Sequence, residues 1–284
     1  MYDLYLGSPA EIRADIRKYL LAVKRMLPRW ANSLPDSEFQ TVQDLIESRL
    51  PHKNPVFVET GIGATTILLL HYAMERDGRL ISWDMNGSKA SFLRTVAVET
   101  LEGLHRKSIA AHWTFVHSSS TSPYTGMPII GELADRVTLS HHDSDHTWET
   151  ISGEIGALLP LFEEGGIVCV DDANQVYQTT YEPIINMTRR KLGLGPIAAI
   201  PGNTGRPHIE RIAELVKREF AVVEDLSVGF EGKLANDLYY SWYSVDRQQM
   251  DRVGMERMKE LKARFAAYRL SKRVAGASRP SLKS

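Results

Sequence analysis

The segment Val58-Glu59-Thr60-Gly61-Ile62-Gly63-Ala64-Thr65-Thr66 sets two closely spaced glycines directly after a carboxylate. Glycines in such a place let backbone pass close to a ligand, and a helix starting there offers free N–H groups to it. A dinucleotide site calls for a third small residue where Thr66 stands, which counts against NAD. Asp84 follows roughly 20 residues on, a spacing at which a carboxylate can accept hydrogen bonds from both hydroxyls of a ribose. Alone, Asp84 reads rather as a solvated acid starting the turn Asp84-Met85-Asn86-Gly87. In register with the glycine loop, it points to an adenosine-containing ligand.

A second, denser group comprises His141-His142-Asp143-Ser144-Asp145-His146-Thr147-Trp148-Glu149 and Asp171-Asp172-Ala173-Asn174. So many acids at one place repel each other unless a cation or a cationic substrate joins them. Oxygen donors of this kind suit Mg²⁺ or another hard divalent ion. Asp145 and Glu149 also read as charges complementing a helix N-terminus, and His141 as a strand-end histidine.

These groups need a scaffold, and the hydropathy pattern supplies one. Val56–Val58, Leu80–Trp83, Trp113–Val116, Val137–Leu139 and Ile167–Val170 are short apolar runs, several without alternation, as in parallel strands buried on both faces. Helix-compatible stretches separate them at Thr65–Arg76, Lys89–Leu104 and Thr150–Phe162. Strand and helix alternating in this way predict an α/β fold, a Rossmann-like, doubly wound and mainly parallel sheet. Both chemical groups then fall at C-terminal strand ends, where open α/β sheets bind ligands. Two helices precede the first strand. One is capped by Ser8-Pro9-Ala10-Glu11, and the other begins near Ser37 with Phe39, Val42, Leu45, Ile46 and Leu50 on one face. Downstream, the pattern predicts helices over Glu182–Leu192 and Glu210–Glu219, a Gly/Pro-rich loop over Gly193–Pro207, and closing strands at Phe220–Val223 and Leu238–Tyr243.

Composition excludes several classes. The 284 residues, 43% hydrophobic and 24% charged, are those of a globular protein with a sizeable core. The N-terminus lacks a secretory pattern, no apolar run is long enough to span a bilayer, and the single Cys169 suits a reducing compartment, so a cytoplasmic protein is expected. Residues 247–284 carry eleven Lys/Arg against three Asp/Glu, whereas 1–246 carry 23 against 32. An acidic body speaks against nucleic acid as partner. Met250, Val253, Met258, Leu261, Phe265 and Tyr268 share one helical face, which predicts a basic C-terminal helix docking on the body or on a second subunit.

Taken together, Val58–Gly63, Asp84, Asp143–Glu149 and Glu164-Gly165-Gly166-Ile167 leading to Asp171-Asp172 resemble class I S-adenosylmethionine-dependent methyltransferases. The nearest likeness is to the branch of macrocin-type O-methyltransferases and cephalosporin-hydroxylase-like proteins. It covers residues 52–246, leaving 1–51 as a helical cap and 247–284 as the basic helix and tail. The resemblance implies that Gly61 and Gly63 line the methionine end of S-adenosylmethionine, with Glu59 beneath and Asp84 on the ribose. Thr60 and Ser119 complete the expected cofactor-binding set. It further implies that Asp143, Asp171 and Asp172 bind a divalent metal. Ser144 stands where the family has glycine, and His141-His142 where it has an apolar strand end. The expected reaction is methyl transfer to a hydroxyl of a small metabolite or sugar, with His146 beside Asp143, or else His142, taking the proton. A hydroxylase-like enzyme on the same scaffold and a catalytically silent binding or assembly protein are the alternatives.

Overall fold

Ser8 caps the first helix as the sequence indicates: its hydroxyl accepts from Glu11 N, and the Glu11 carboxylate accepts from Ser8 N at 2.7 Å. The structure, a computed structural model, describes residues 8–32, 34–50, 53–173, 191–193, 208–220, 222–229 and 264–271. Helices α1 (Pro9–Ala14), α2 (Ile16–Met26) and α3 (Asp36–Arg49) precede strand β1 (Val56–Thr60). Alternation then follows: α4 (Ala64–Glu75), β2 (Arg79–Asp84), α5 (Gly87–Ala97), β3 (Trp113–His117), β4 (Val137–His142), α6 (Trp148–Leu158) and β5 (Phe162–Val170). Helix α7 (His208–Glu219) and strands β6 (Val222–Asp225), β7 (Val228–Gly229) and β8 (Arg264–Ser271) follow.

The main sheet has the order β3-β2-β1-β4-β5-β8-β6, with β7 pairing off β8. Strands β1 to β5 are mutually parallel, and β8 runs antiparallel between β5 and β6. This is the doubly wound, mainly parallel sheet expected. Its strand order reverses between β1 and β4, which opens a crevice at their C-terminal ends.

Alternate residues of each central strand feed two apolar layers. Phe57, Ile167 and Cys169 face the layer of α2, α3 and α4, whereas Val58, Val168 and Val170 face the layer of α6 and α7. The N-terminal helices therefore share a core with the sheet. Leu20 and Val23 of α2, and Phe39, Val42 and Ile46 of α3, are all buried in the layer that also holds Ile67–Leu70 of α4. A buried ion pair, Lys24 Nζ to Asp36 Oδ1 at 2.8 Å, ties α2 to the start of α3.

One expectation is overturned. The stripe read as a C-terminal helix ends in a strand: Phe265 and Tyr268 lie on β8, paired with β5 and β6. Phe265 and Ala267 face one layer and Ala266, Tyr268 and Leu270 the other, so a strand buried on both faces shows no period of two in its sequence. The earlier part of that stripe, 247–263, lies outside the described residues, as do the expected strand 238–243, most of the helix 182–192 and most of the loop 193–207. Among the described residues no helix is long and apolar enough to cross a membrane.

Candidate active site

The turn between β1 and α4 is built around Gly61. Its φ of +76° is a left-handed conformation, and a Cβ there would stand 1.8 Å from the Asp143 carbonyl oxygen. That proximity joins neighbouring strand ends: Gly61 N donates to Trp83 O and Asp143 N donates to Thr60 O, both at 2.9 Å. Gly63 is extended, and its open side faces the Ala31 carbonyl oxygen of the N-terminal segment rather than the cleft. Thr66 earns its place by hydrogen bonding. It accepts from Gly63 N at 2.9 Å and donates to Glu59 Oε2 at 2.8 Å. Ser82 also donates to Glu59, at 3.1 Å. Burial pushes the Glu59 carboxyl up to about 8 despite these donors, and its Oε1 has no hydrogen-bond partner. Glu59 thus lies beneath the loop.

Thr60, Gly61, Asp84, Ser119 and Asp143 line one cleft of about 350 Å³ at the ends of β1, β2 and β4. Asp84 is held firmly: Oδ2 accepts from Ile62 N at 3.1 Å, Oδ1 accepts from Asn86 N at 2.7 Å, and Lys89 Nζ stands 3.9 Å away. These bonds fix the carboxylate at the cleft wall and prepare it for further donors. The structure thus brings together four of the six residues expected to bind cofactor, with Glu59 below them and Gly63 turned toward the cap.

Next to the cleft, His146 Nε2 lies 3.4 Å from Oδ1 of the lining Asp143. Burial alone would lower the His146 imidazole, but Asp143, Asp172 and Asp171 outweigh it and bring it up to about 9. His146 and Asp172 both adopt left-handed backbone, φ 56° and 49°. Non-glycine residues held so cost about 1–3 kcal/mol each, and such strain gathers at functional sites.

His142 is no base for this cleft. It is buried, with Nδ1 2.8 Å from Glu154 Oε2 and Nε2 2.9 Å from Ser140 Oγ. His141 is also buried, which lowers it to about 4, and neither ring nitrogen has a hydrogen-bond partner.

The expected metal set does not assemble. Among the described residues no three His, Cys, Asp or Glu side chains are grouped so as to hold a metal ion. Asp171 is engaged instead by Glu38 of α3, with which it shares a hydrogen bond, and by Asp172 N, which donates to its Oδ1 at 2.8 Å. Burial first, then the neighbouring carboxylates, raise Glu38 well above the usual carboxylate range. The same two effects raise Asp172 to about 7. Burial and mutual repulsion favour the protonated forms of Glu38, Asp171 and Asp172, and the hydrogen bond to Glu38 occupies Asp171. Glu38 was missed in the sequence, although it falls on the apolar stripe of α3 four residues before Val42.

Residues 58–173, which span β1 through β5, match the family described as a methyltransferase domain. Over that stretch the chain resembles a methyltransferase domain. The likeness to class I methyltransferases is borne out at that level. Among solved structures, the fold is similar to an O-methyltransferase from Bacillus cereus in complex with SAH. Identity is 14% and the TM-score 0.53, covering 93% of this chain and 96% of that one. It is also similar to a SAM-dependent methyltransferase from Thiobacillus denitrificans in complex with S-adenosyl-L-homocysteine. There, identity is 13% and the TM-score 0.50, covering 89% and 98%. No curated protein sequence matches the chain.

Proposed function

We propose that the protein transfers the methyl group of S-adenosylmethionine to a hydroxyl group of a small metabolite. One observation carries this reading: a single cleft is lined by Thr60, Gly61, Asp84, Ser119 and Asp143, and His146 Nε2 stands 3.4 Å from the Asp143 carboxylate. The similar Bacillus cereus protein, an O-methyltransferase in complex with SAH, supports it. When bound, the cofactor supplies a methyl group on a sulfonium, and the chain has to align the acceptor and remove a proton. Asp84 accepts the ribose hydroxyls, and the bare Cα of Gly61 lets backbone approach the ligand. Asp143 orients His146, whose neutral form takes the hydroxyl proton as the acceptor attacks. The divalent cation expected from the sequence has no part in this reading, because Glu38 engages Asp171.

Calorimetry with S-adenosylhomocysteine and transfer of a labelled methyl group to hydroxylated metabolites test the proposal. Asp84→Asn keeps shape but gives up a charged acceptor, so the affinity for S-adenosylhomocysteine should fall on the order of tenfold to a hundredfold. Unchanged affinity in that variant would place the cofactor elsewhere.

A pH profile tests the base. His146 is held at about 9, so at neutral pH most of it is imidazolium and cannot accept a proton. Turnover should therefore rise with pH up to about 9 and level off, with or without a chelator. A raised histidine stabilises the fold fully below about 6.5 and loses that contribution as pH climbs through about 9. Thermal stability should thus decline over the interval in which turnover increases. A rate flat from pH 6 to 10, or one abolished by chelation, would defeat this mechanism.

A further inference from the structure

The cleft has a buried keystone. Thr60 and Ser120 both border it, one at the end of β1 and the other in the loop after β3. Their hydroxyls turn away from the ligand space and meet on one carboxylate of α6. Thr60 Oγ1 donates to Glu154 Oε2 at 2.8 Å, and Ser120 Oγ donates to Glu154 Oε1 at 2.5 Å. His142 of β4 approaches the same Oε2 at 2.8 Å and is itself held by Ser140 Oγ at 2.9 Å. Glu154 is 1% exposed, and both of its oxygens are occupied.

A buried carboxylate is expensive unless fully hydrogen-bonded, and this one is. Burial would raise it, but the bonds from His142, Ser120 and Thr60 prevail and hold it below its ordinary value. Packing alone would put an apolar residue here, since Ile151, Ile155 and Leu158 on the same stripe of α6 are buried hydrophobics. A single anion gripping two separate walls of the cleft sets the distance between them.

We infer that Glu154 is a positioning residue that fixes the Thr60 and Ser120 walls of the cleft at the spacing the cofactor needs. The inference rests on the cofactor reading above. It predicts that reach matters: Glu154→Gln still spans both walls, whereas Glu154→Asp, one methylene shorter, cannot. The Asp variant should weaken S-adenosylhomocysteine binding about tenfold, with kcat at saturating cofactor within about twofold of wild type. The Gln variant should stay within about threefold of wild type in affinity. Ser120→Ala cuts one arm and should cost about threefold. Combined with Glu154→Asp it should add nothing, because that arm is already lost.

Calorimetry and steady-state kinetics on the full chain decide the matter. If the wild type does not bind S-adenosylhomocysteine, the cofactor reading falls and the inference with it. If the wild type binds and Glu154→Asp binds equally well, or if only kcat drops, the inference alone is overturned. Additive losses in the double variant would overturn it too. Should Glu154→Asp fail to fold, Ser120→Ala carries the test, and wild-type affinity there counts against the positioning role.

Discussion

Gly61→Ala should destabilise the protein by about 3 kcal/mol or more and abolish S-adenosylhomocysteine binding. Two costs combine. A left-handed φ of +76° costs an L-residue about 1–2 kcal/mol, and a methyl group 1.8 Å from the Asp143 carbonyl oxygen must push β4 away from β1. Neither atom can yield cheaply, since both belong to backbone tied into the sheet by the Asp143 N to Thr60 O bond. The melting temperature should fall by about 10 °C, as a change of this size implies for a chain this long. Gly63→Ala is the matched control. Gly63 is extended and its Cβ would lie 3.4 Å from Ala31 O, so a shift of a few tenths of an ångström accommodates it. Equal stability of the two variants would show that the strand ends are not locked as described.

Ending the chain at residue 263 should leave no folded protein at all. The loss would include β8, which pairs with β5 on one side and β6 on the other. Phe265, Tyr268 and Leu270 are each at most 2% exposed, and burying such side chains is worth about 1.5–3 kcal/mol apiece. Those three alone approach the 5–15 kcal/mol that holds a typical domain together. Further losses are the inter-strand hydrogen bonds and the bond from Tyr268 Oη to Ile209 O at 2.9 Å, which anchors α7. A docked terminal helix, as the sequence suggested, would only lower the melting temperature or change the oligomeric state. Circular dichroism separates the two, because a cooperative melt in the truncated chain contradicts the central strand. A chain ending at Ser271 keeps every described strand and should melt cooperatively.

How much of this was legible in the sequence depended on whether one segment carried its own signal. The Gly61 loop, Asp84 and the alternation from β1 to β5 are local patterns, and the structure places them as the pattern implies. The β8 strand misled because Phe265-Ala266-Ala267-Tyr268 is buried on both faces, which erases alternation and leaves an apolar run that a helix also tolerates. Glu38 and Glu154 were overlooked for a shared reason. Each sits on the apolar stripe of its helix, Glu38 before Val42 and Glu154 between Ile151 and Ile155, and a charge in such a stripe signals a buried partner. Identifying that partner requires the tertiary fold, since Glu38 meets Asp171 and Glu154 meets Thr60 and Ser120 across long stretches of chain. The carboxylates after β4 and β5 were rightly read as crowded. What engages Asp171 was not legible, because Glu38, its hydrogen-bond partner, comes from a helix before the sheet begins.

The position of β8 in the sheet also bears on how the protein is made. The strand that fills the gap between β5 and β6 is the last described strand to leave the ribosome. At about 5–20 residues per second, the interval between completing β5 and starting β8 lasts roughly 5–20 s. Throughout it the nascent chain presents the edge of Ile167, Val168, Cys169 and Val170 without its eventual neighbour. An apolar unpaired edge recruits strands from other chains. The demand on chaperones therefore falls in that short window of translation, and slowing elongation over residues 171–263 would widen it.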